Sequence, residues 1–263
     1  MTMQSSVQCI DLEHRNDVVW ITINRPELRN AINEDVIAGI SDGLSQAAKL
    51  PDVRAIVLTG AGEKAFCAGA DLQPNSSIFD FDFSLPRTAY ADLLRQAVAT
   101  DIPLIARVNG TCMAGGMGLL TMCDMAVAST EAKFGLPEVK VGMFPMQVAS
   151  VMQDLVPRRK FAEMCITGEP LTAQEALEVG LVNYVVQHSE LDAKVDWLLS
   201  RITDKSPTAI RRGKNALRAI ADMTFAQSIA FMEAQLGSLR MTKDAAEGLA
   251  SFAEKRKPVW TGK

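Results

Sequence analysis

The chain has 263 residues, of which 48% are hydrophobic and 22% are charged, and its formal net charge is −4. This length and composition suit one compact globular unit, or such a unit with a smaller appendage. The acidic balance provides no overall positive field that would gather nucleic acid, so we expect no nucleic-acid partner.

The cysteine pattern and the apolar runs argue against a disulfide-rich, metal-binding, secreted or membrane protein. Five cysteines are scattered without a C-x-x-C pair, which predicts neither a disulfide framework nor a metal site and favours a reducing compartment. No apolar stretch reaches the length of a membrane span, and Met1–Ile10 lacks the pattern of a secretory signal. We therefore expect a cytoplasmic protein with no membrane association.

The first elements alternate between strand and helix. The apolar, β-branched segments Val18–Asn24 and Ala55–Thr59 are typical of buried strands, and both end at turn residues. Between them, Glu34–Leu50 has helical spacing, with Asn33 as a plausible N-cap and Pro51 just past its end.

The alternation continues along the chain and then gives way to helices. Helices are predicted at Thr88–Thr100, Gly115–Met122 and Ala173–Gly180, and strands at Leu104–Val108, Met125–Ser129 and Leu181–Val186. Four amphipathic helices follow, at Leu191–Ile202, Pro207–Ala221, Thr224–Leu239 and Lys243–Lys257. This order indicates an α/β fold with a helical C-terminal portion.

Two segments are rich in small residues where a plain core would have bulky ones. They are Phe66–Asp71 and Asn109–Gly118, and the second leads directly into an apolar helix. Glycines ahead of a helix leave its first N–H groups open to a negatively charged group. The segments lack the Lys-Ser/Thr of a phosphate loop and the third glycine of a dinucleotide site, so an oxyanion is the next candidate. Tight helix packing is the alternative.

Several motifs follow one another in order, from about Val18 to the end of the chain. They are Asn24–Pro26 with Asn30–Ile32, Phe66–Asp71, Asn109–Gly118, Cys123–Asp124, Phe134–Glu138, Thr167–Val182 and Phe252–Arg256. Taken together, these motifs resemble the enoyl-CoA hydratase/isomerase (crotonase) family. The resemblance implies an α/β spiral of strand-strand-helix repeats, which we assign to residues 1–200. It also implies a helical C-terminal region, residues 201–263, that builds a homotrimer or a dimer of trimers.

The resemblance further implies an acyl-CoA thioester as substrate, with no separate cofactor because coenzyme A is part of that substrate. The backbone N–H groups of Ala70 and Gly115 look like the two oxyanion donors. The substrate-binding and CoA-binding positions are Leu28, Arg29, Ala68, Ala70, Asp71, Leu72, Gln73, Gly115, Phe252 and Lys255. Phe252 and Lys255 match positions that reach the adenine and its phosphate, in many members from a neighbouring subunit. The basic runs Arg211–Lys214 and Lys255–Lys257 could otherwise be ordinary solvated helix faces.

The acid/base residues leave the reaction open. Hydratases of this family commonly use two glutamates, and here the second matches Glu138 while the first is replaced by Gly118. We take Glu138 as the acid/base and hydration of a 2-enoyl-CoA, in acyl-CoA or fatty-acid degradation, as the leading interpretation. A Δ3-Δ2 enoyl-CoA isomerase using the single glutamate is the alternative, and a catalytically weak acyl-CoA-binding scaffold is a third.

Two further segments bear on the acyl group. Gly142–Gln147 carries larger side chains than the glycine-rich run common in the family, which indicates either an altered acyl pocket or denser packing. The wall of that pocket is expected from Gln73–Leu94, whose sequence does not reveal the length or branching of the acyl chain.

Overall fold

A computed structural model describes residues 9–73, 78 and 82–263. Most of Met1–Ile10 and part of Gln73–Leu94 lie outside these residues, so the expectations for those two segments are untested there. Within the described ranges the chain forms a six-stranded and a four-stranded sheet. The strands are β1 (Ile10–Arg15), β2 (Val18–Ile23), β3 (Ala55–Gly60), β4 (Ala65–Cys67), β5 (Leu104–Val108), β6 (Thr111–Met113), β7 (Met125–Ser129), β8 (Lys133–Gly135), β9 (Leu171–Thr172) and β10 (Tyr184–Val186).

Helices lie between these strands in the sequence as far as β10, and only helices follow β10. They are α1 (Glu34–Lys49), α2 (Ala89–Ala99), α3 (Gly115–Thr121), α4 (Met146–Met152), α5 (Arg158–Thr167), α6 (Ala173–Glu178), α7 (Leu191–Thr203), α8 (Pro207–Ile220), α9 (Phe225–Arg240) and α10 (Lys243–Ala253). None of them has the combination of length and apolar character that crossing a bilayer requires, and this holds for the described residues only.

The sheet order shows a repeating unit. The strand order is β1-β2-β3-β5-β7-β10 in the large sheet and β4-β6-β8-β9 in the small sheet. The units β3-β4-α2 and β5-β6-α3 therefore each place their first strand in the large sheet and their second in the small sheet, and a helix follows. All neighbouring strands are parallel except for the β1–β2 and β8–β9 pairs. The expected α/β spiral of strand-strand-helix units, followed by a helical C-terminal region, is confirmed.

Strand β2 shows how the large sheet is buried on both faces. Successive side chains point to opposite faces of a strand. Accordingly Val19, Ile21 and Ile23 belong to the main core, which also contains the apolar face of α1. Val18 and Trp20 belong to a second core, formed against α7 on the other face. Burial on both sides explains the nearly continuous apolar run of this strand.

The basic run of α8 joins the C-terminal helices to the sheets. Lys214 Nζ donates to Asp124 Oδ2 at 2.6 Å and to the carbonyl oxygen of Ile102 at 2.9 Å. Arg211 donates to the carbonyl oxygen of Val53 at 2.9 Å. The solvated-face interpretation of this run is therefore wrong. The stem of a long cationic side chain can lie against apolar surface while its charged end reaches carbonyl and carboxylate acceptors on another element.

Two predicted boundaries differ from the structure. The helix predicted to reach Lys257 ends at Ala253, and Lys255 has a left-handed φ of 53°. The strand predicted from Leu181 begins at Tyr184, because Leu181 is still in the turn that follows α6.

Candidate active site

The two turns rich in small residues lie side by side. Gly69 has a φ of +100°, and a Cβ atom built there would lie 2.8 Å from Cβ of Ala114 and 3.6 Å from the backbone nitrogen of Gly115. A Cβ atom built at Gly115 would lie 3.9 Å from the backbone nitrogen of Ala70. Only glycine allows this left-handed backbone and this close approach together. The turns that carry Ala70 and Gly115 are thus in contact.

The neighbouring hydrogen bonds leave both of these N–H groups available. Ile32 N donates to the Gly69 carbonyl at 2.8 Å, and Asp71 N donates to the Ile32 carbonyl at 2.8 Å, which forms a parallel bridge. In such a bridge the N–H of the central residue, Ala70, points away from the partner strand. Gly115 is the first residue of α3, where an N–H has no acceptor within the helix. Both residues are half-buried, so a ligand can reach them.

Ala114 holds an unusual backbone conformation between the turns. Its φ is 50° and its ψ is −123°, and its N–H donates to the carbonyl oxygen of Gly135 at 2.9 Å. A non-glycine residue in such a region carries strain of about 1–3 kcal/mol, which the surrounding structure must offset. The hydrogen bond to Gly135 ties the start of α3 to the segment that leads to Glu138.

Glu138 has the environment of an acid/base group. It lies in a short 3₁₀ turn, Pro137–Val141, and its Oε2 atom is buried and accepts no hydrogen bond from any residue that the structure describes. Burial raises the pKa of this carboxyl above its ordinary value. A carboxylate in such surroundings takes up a proton more readily than one in water, which suits proton transfer near neutral pH.

Tyr90 completes the site and was not found from the sequence. Its hydroxyl donates to the carbonyl oxygen of Gly115 at 2.5 Å, and a Cβ atom built at Gly118 would overlap that hydroxyl. The phenol therefore fills the side-chain space that Gly118 leaves open. The missing side chain was the only sequence signal, because a close-packed interior must fill such a gap from elsewhere.

Most of the expected CoA-binding positions come together. Ala68 N donates to the Arg29 carbonyl at 3.0 Å, which places the segment of Leu28 and Arg29 alongside Ala68–Gln73. Arg29, Leu72 and Gln73 are exposed there. Asp71 differs, because its carboxylate is half of a buried ion pair with Arg25 at 2.9 Å and also accepts from Gln73 N. This pair stiffens the turn that carries Ala70.

Phe252 and Lys255 are placed differently. They lie at the end of α10, which packs against α8 and α9, and the Phe252 side chain is 86% exposed. Within one chain the structure does not bring these two residues to the glycine-rich turns.

Three other polar or thiol side chains near the motifs are accounted for by hydrogen bonds or by burial. Asp124 accepts from Leu104 N at 2.7 Å as well as from Lys214, and Gln147 donates to Thr88 Oγ1 at 2.6 Å. Burial raises the pKa of the Cys67 thiol to about 12, so this cysteine is not a ready nucleophile.

The segment around Met146 borders a cleft rather than a dense core. Met143, Phe144 and Met146 are exposed in the single chain, which argues against the denser-packing interpretation. A cleft of about 480 Å³ lies between α2 and α4 and is lined by Thr88, Ala91, Leu94, Met146, Gln147 and Val151. This volume is within the range of small-molecule sites.

Comparisons with known proteins agree with this architecture. The family profile described as enoyl-CoA hydratase/isomerase matches residues 13–263. The (E)-benzylidenesuccinyl-CoA hydratase of Thauera aromatica is 34% identical over 262 residues, covering 96% of this chain and 99% of that protein. The short-chain-enoyl-CoA hydratase of Clostridium acetobutylicum is 32% identical over 247 residues, covering 94% of this chain and 95% of that protein.

Solved structures match as closely. The crystal structure of an enoyl-CoA hydratase from Bacillus anthracis superimposes with a TM-score of 0.90 at 30% identity, covering 97% of this chain and 100% of that chain. With a family match along nearly the whole chain and relatives above 30% identity, the protein belongs to the enoyl-CoA hydratase/isomerase family.

Proposed function

We propose that this protein hydrates 2-enoyl-CoA thioesters to 3-hydroxyacyl-CoA. The thioester oxygen accepts hydrogen bonds from the N–H groups of Ala70 and Gly115. Water adds its oxygen to the β-carbon while Glu138 takes one of its protons, and the electron pair of the double bond moves onto the thioester oxygen. Glu138 then returns the proton to the α-carbon, which completes the addition.

The observation that carries this proposal is a buried Glu138 oxygen without a hydrogen-bond partner among the described residues, on a segment bonded to the turn of Gly115, which in turn contacts the turn of Ala70. Charge develops on the thioester oxygen in the enolate, and fixed donors in a site with little water stabilise that charge. Losing one such donor typically costs about 10²–10³ in rate. A protein that only bound acyl-CoA would gain nothing from a carboxylate with a raised pKa, so Glu138 also argues against a scaffold role.

Isomerisation of a 3-enoyl-CoA is the second candidate, and Gly118 favours it. One carboxylate is enough to remove a proton at one carbon and return it at another, and position 118 supplies no second one. The relatives from Thauera aromatica and Clostridium acetobutylicum, both named as hydratases, favour hydration instead.

Turnover assays separate the candidates. Purified protein is incubated with crotonyl-CoA, cinnamoyl-CoA and trans-3-hexenoyl-CoA, and the products are identified by mass spectrometry. We expect hydration of at least one 2-enoyl-CoA, and loss of turnover by at least about 10³-fold in Glu138→Gln with CoA affinity retained. The exposed Glu131→Gln is the matched control and should behave as wild type. Double-bond migration without water addition would favour the isomerase, and binding without turnover would favour the scaffold.

The proposal extends to assembly as a homotrimer or a dimer of trimers. It is supported by apolar side chains exposed on the C-terminal helices of the single chain, among them Leu217, Phe225, Leu236 and Leu249. Large apolar side chains exposed together on neighbouring helices are typical of interaction surfaces. A neighbouring subunit would also give Phe252 and Lys255 the access to bound CoA that their own chain does not show.

A further inference from the structure

Tyr90 replaces a missing side chain at the centre of the site. It is half-buried on α2, and its hydroxyl lies against both Gly115 and Gly118 of α3. Even its ring carbon Cζ would lie only 3.2 Å from a Cβ atom at position 118. The phenol therefore stands where hydratases of the family commonly carry their first glutamate.

The hydrogen bonds of Tyr90 decide what its oxygen can still do. A tyrosine hydroxyl has one proton to donate and two lone pairs that accept. Its proton is donated to the Gly115 carbonyl, so the remaining capacity of the oxygen is as an acceptor. Burial raises the pKa of Tyr90 well above its ordinary value, with further contributions from Cys67, Cys112 and Glu138. The hydroxyl therefore stays neutral at physiological pH.

Glu138 supplies a second acceptor near Tyr90, whose pKa its charge helps to raise. The bond from Ala114 N to the Gly135 carbonyl, at 2.9 Å, fixes the segment three residues before Glu138 against the start of α3. Its Oε2 atom is buried and has no hydrogen-bond partner in the described part of the chain. A phenol oxygen that contacts the start of α3 and a carboxylate oxygen on a segment bonded to it are thus both left to accept hydrogen bonds.

We propose that Tyr90 positions the attacking water for hydration, in place of the absent first glutamate. The water donates one proton to Glu138 Oε2 and the other to Tyr90 Oη, which leaves a lone pair of its oxygen free to attack the β-carbon. Glu138 receives the first proton as the carbon–oxygen bond forms, and Tyr90 retains its own proton throughout. This inference rests on the proposed hydratase function, and it explains how one glutamate is sufficient for it.

The test compares a reaction that consumes water with one that does not. Tyr90→Phe keeps the ring and removes the hydroxyl, and Tyr184→Phe is the matched control, because Tyr184 is the other tyrosine of the chain and packs against Trp197. Hydration of crotonyl-CoA is followed by absorbance. Exchange of the α-protons of butyryl-CoA in D₂O is followed by mass spectrometry, and it requires the oxyanion donors and Glu138 but no attacking water.

The expected result is a split between the two readouts. In Tyr90→Phe we expect kcat for hydration to fall by about 10- to 100-fold, the effect of losing one strong hydrogen bond, with KM and α-proton exchange close to wild type. Tyr184→Phe should change neither reaction. Equal losses in both reactions would show that Tyr90 acts only through the Gly115 peptide. Unchanged hydration would show that Tyr90 has no role in positioning water. Either result would overturn this inference and leave the proposed hydratase function standing. Wild-type protein that exchanges α-protons but hydrates neither crotonyl-CoA nor cinnamoyl-CoA would overturn the proposed function and this inference with it.

Discussion

The hydroxyl of Tyr90 lies where the Cβ atom of residue 118 would be if that residue were not glycine. Glycine at position 118 is therefore required for the Tyr90 side chain to pack where it does. A carboxylate cannot be restored at position 118 while Tyr90 stays in place, because even a methyl group would overlap the phenol.

This mutual exclusion predicts coupling between the two positions. Gly118→Ala should lower the free energy of unfolding by about 1–3 kcal/mol, the usual cost of overpacking a core. In a Tyr90→Phe background the loss should be smaller, because the overlapping oxygen is gone. Denaturant titrations of the two single variants and the double variant measure the coupling.

Gly213 provides the control for that cycle. It lies within α8 with no atom within 4 Å of a Cβ built there, so Gly213→Ala should be neutral or stabilising in either background. Strict additivity of Gly118→Ala and Tyr90→Phe would contradict the described contact.

The raised pKa of Glu138 predicts the acid limb of the pH–rate profile. Glu138 must be charged to take a proton from water, and burial makes the charged form harder to reach. The kcat/KM for hydration should therefore fall, as the pH is lowered, at an apparent pKa above the ordinary glutamate value of about 4.3. Stopped-flow assays of wild type and Glu131→Gln should give the same limb. Activity that persists unchanged down to the ordinary value would contradict the assignment.

The same shift makes Glu138 a cost to stability. A carboxyl whose pKa is raised on folding favours the folded state below its unfolded pKa, and that contribution is lost as the pH rises through the folded pKa. Above its folded pKa Glu138 bears the cost of burying a charge, and Glu138→Gln does not. Thermal unfolding should show the inactive variant to be at least as stable as wild type at pH 7.5, with the difference shrinking near pH 4. A clearly less stable variant at pH 7.5 would mean that Glu138 is held by favourable partners.

Helix α9 predicts how assembly can be disrupted. None of its sixteen residues is buried in the single chain, and Phe225 and Leu236 are 81% and 68% exposed. Light scattering should give the mass of a trimer or hexamer for wild type and a smaller mass for Leu236→Glu, because a charge in an apolar interface is costly. Gln174→Glu on the exposed side of α6 adds the same charge and should leave the mass unchanged. A monomeric wild type would contradict the proposed assembly.

The elements that the sequence predicted are those with strong local patterns. Strands β2, β3, β5 and β7 of the large sheet were found because they are mostly apolar runs of five or six residues, and α1 because Asn33 caps an amphipathic stretch, as its side chain does in the structure. Strand β1 was missed, because charged residues alternate with its apolar ones. The small sheet was missed, because β4, β6 and β8 have three residues each, too few to show a period of two.

The residues of the candidate site also differ in whether the sequence could indicate them. Ala70, Gly115 and Glu138 lie in contiguous motifs, so the family resemblance could assign them, and the structure brings the turns of Ala70 and Gly115 into contact. Tyr90 could not be found, because its contact with Gly118 is made across two helices and an aromatic residue on a helix is usually core. Lys214 was misjudged for a related reason, since its acceptors, Ile102 and Asp124, are about a hundred residues away in the chain.

The most direct test of the account is a crystal structure of the protein with acetoacetyl-CoA. We expect the thioester oxygen to lie about 2.7–3.1 Å from the backbone nitrogens of both Ala70 and Gly115, with the Glu138 carboxylate facing the α- and β-carbons. A thioester oxygen bound by only one of these nitrogens, or directed away from the two turns, would contradict it.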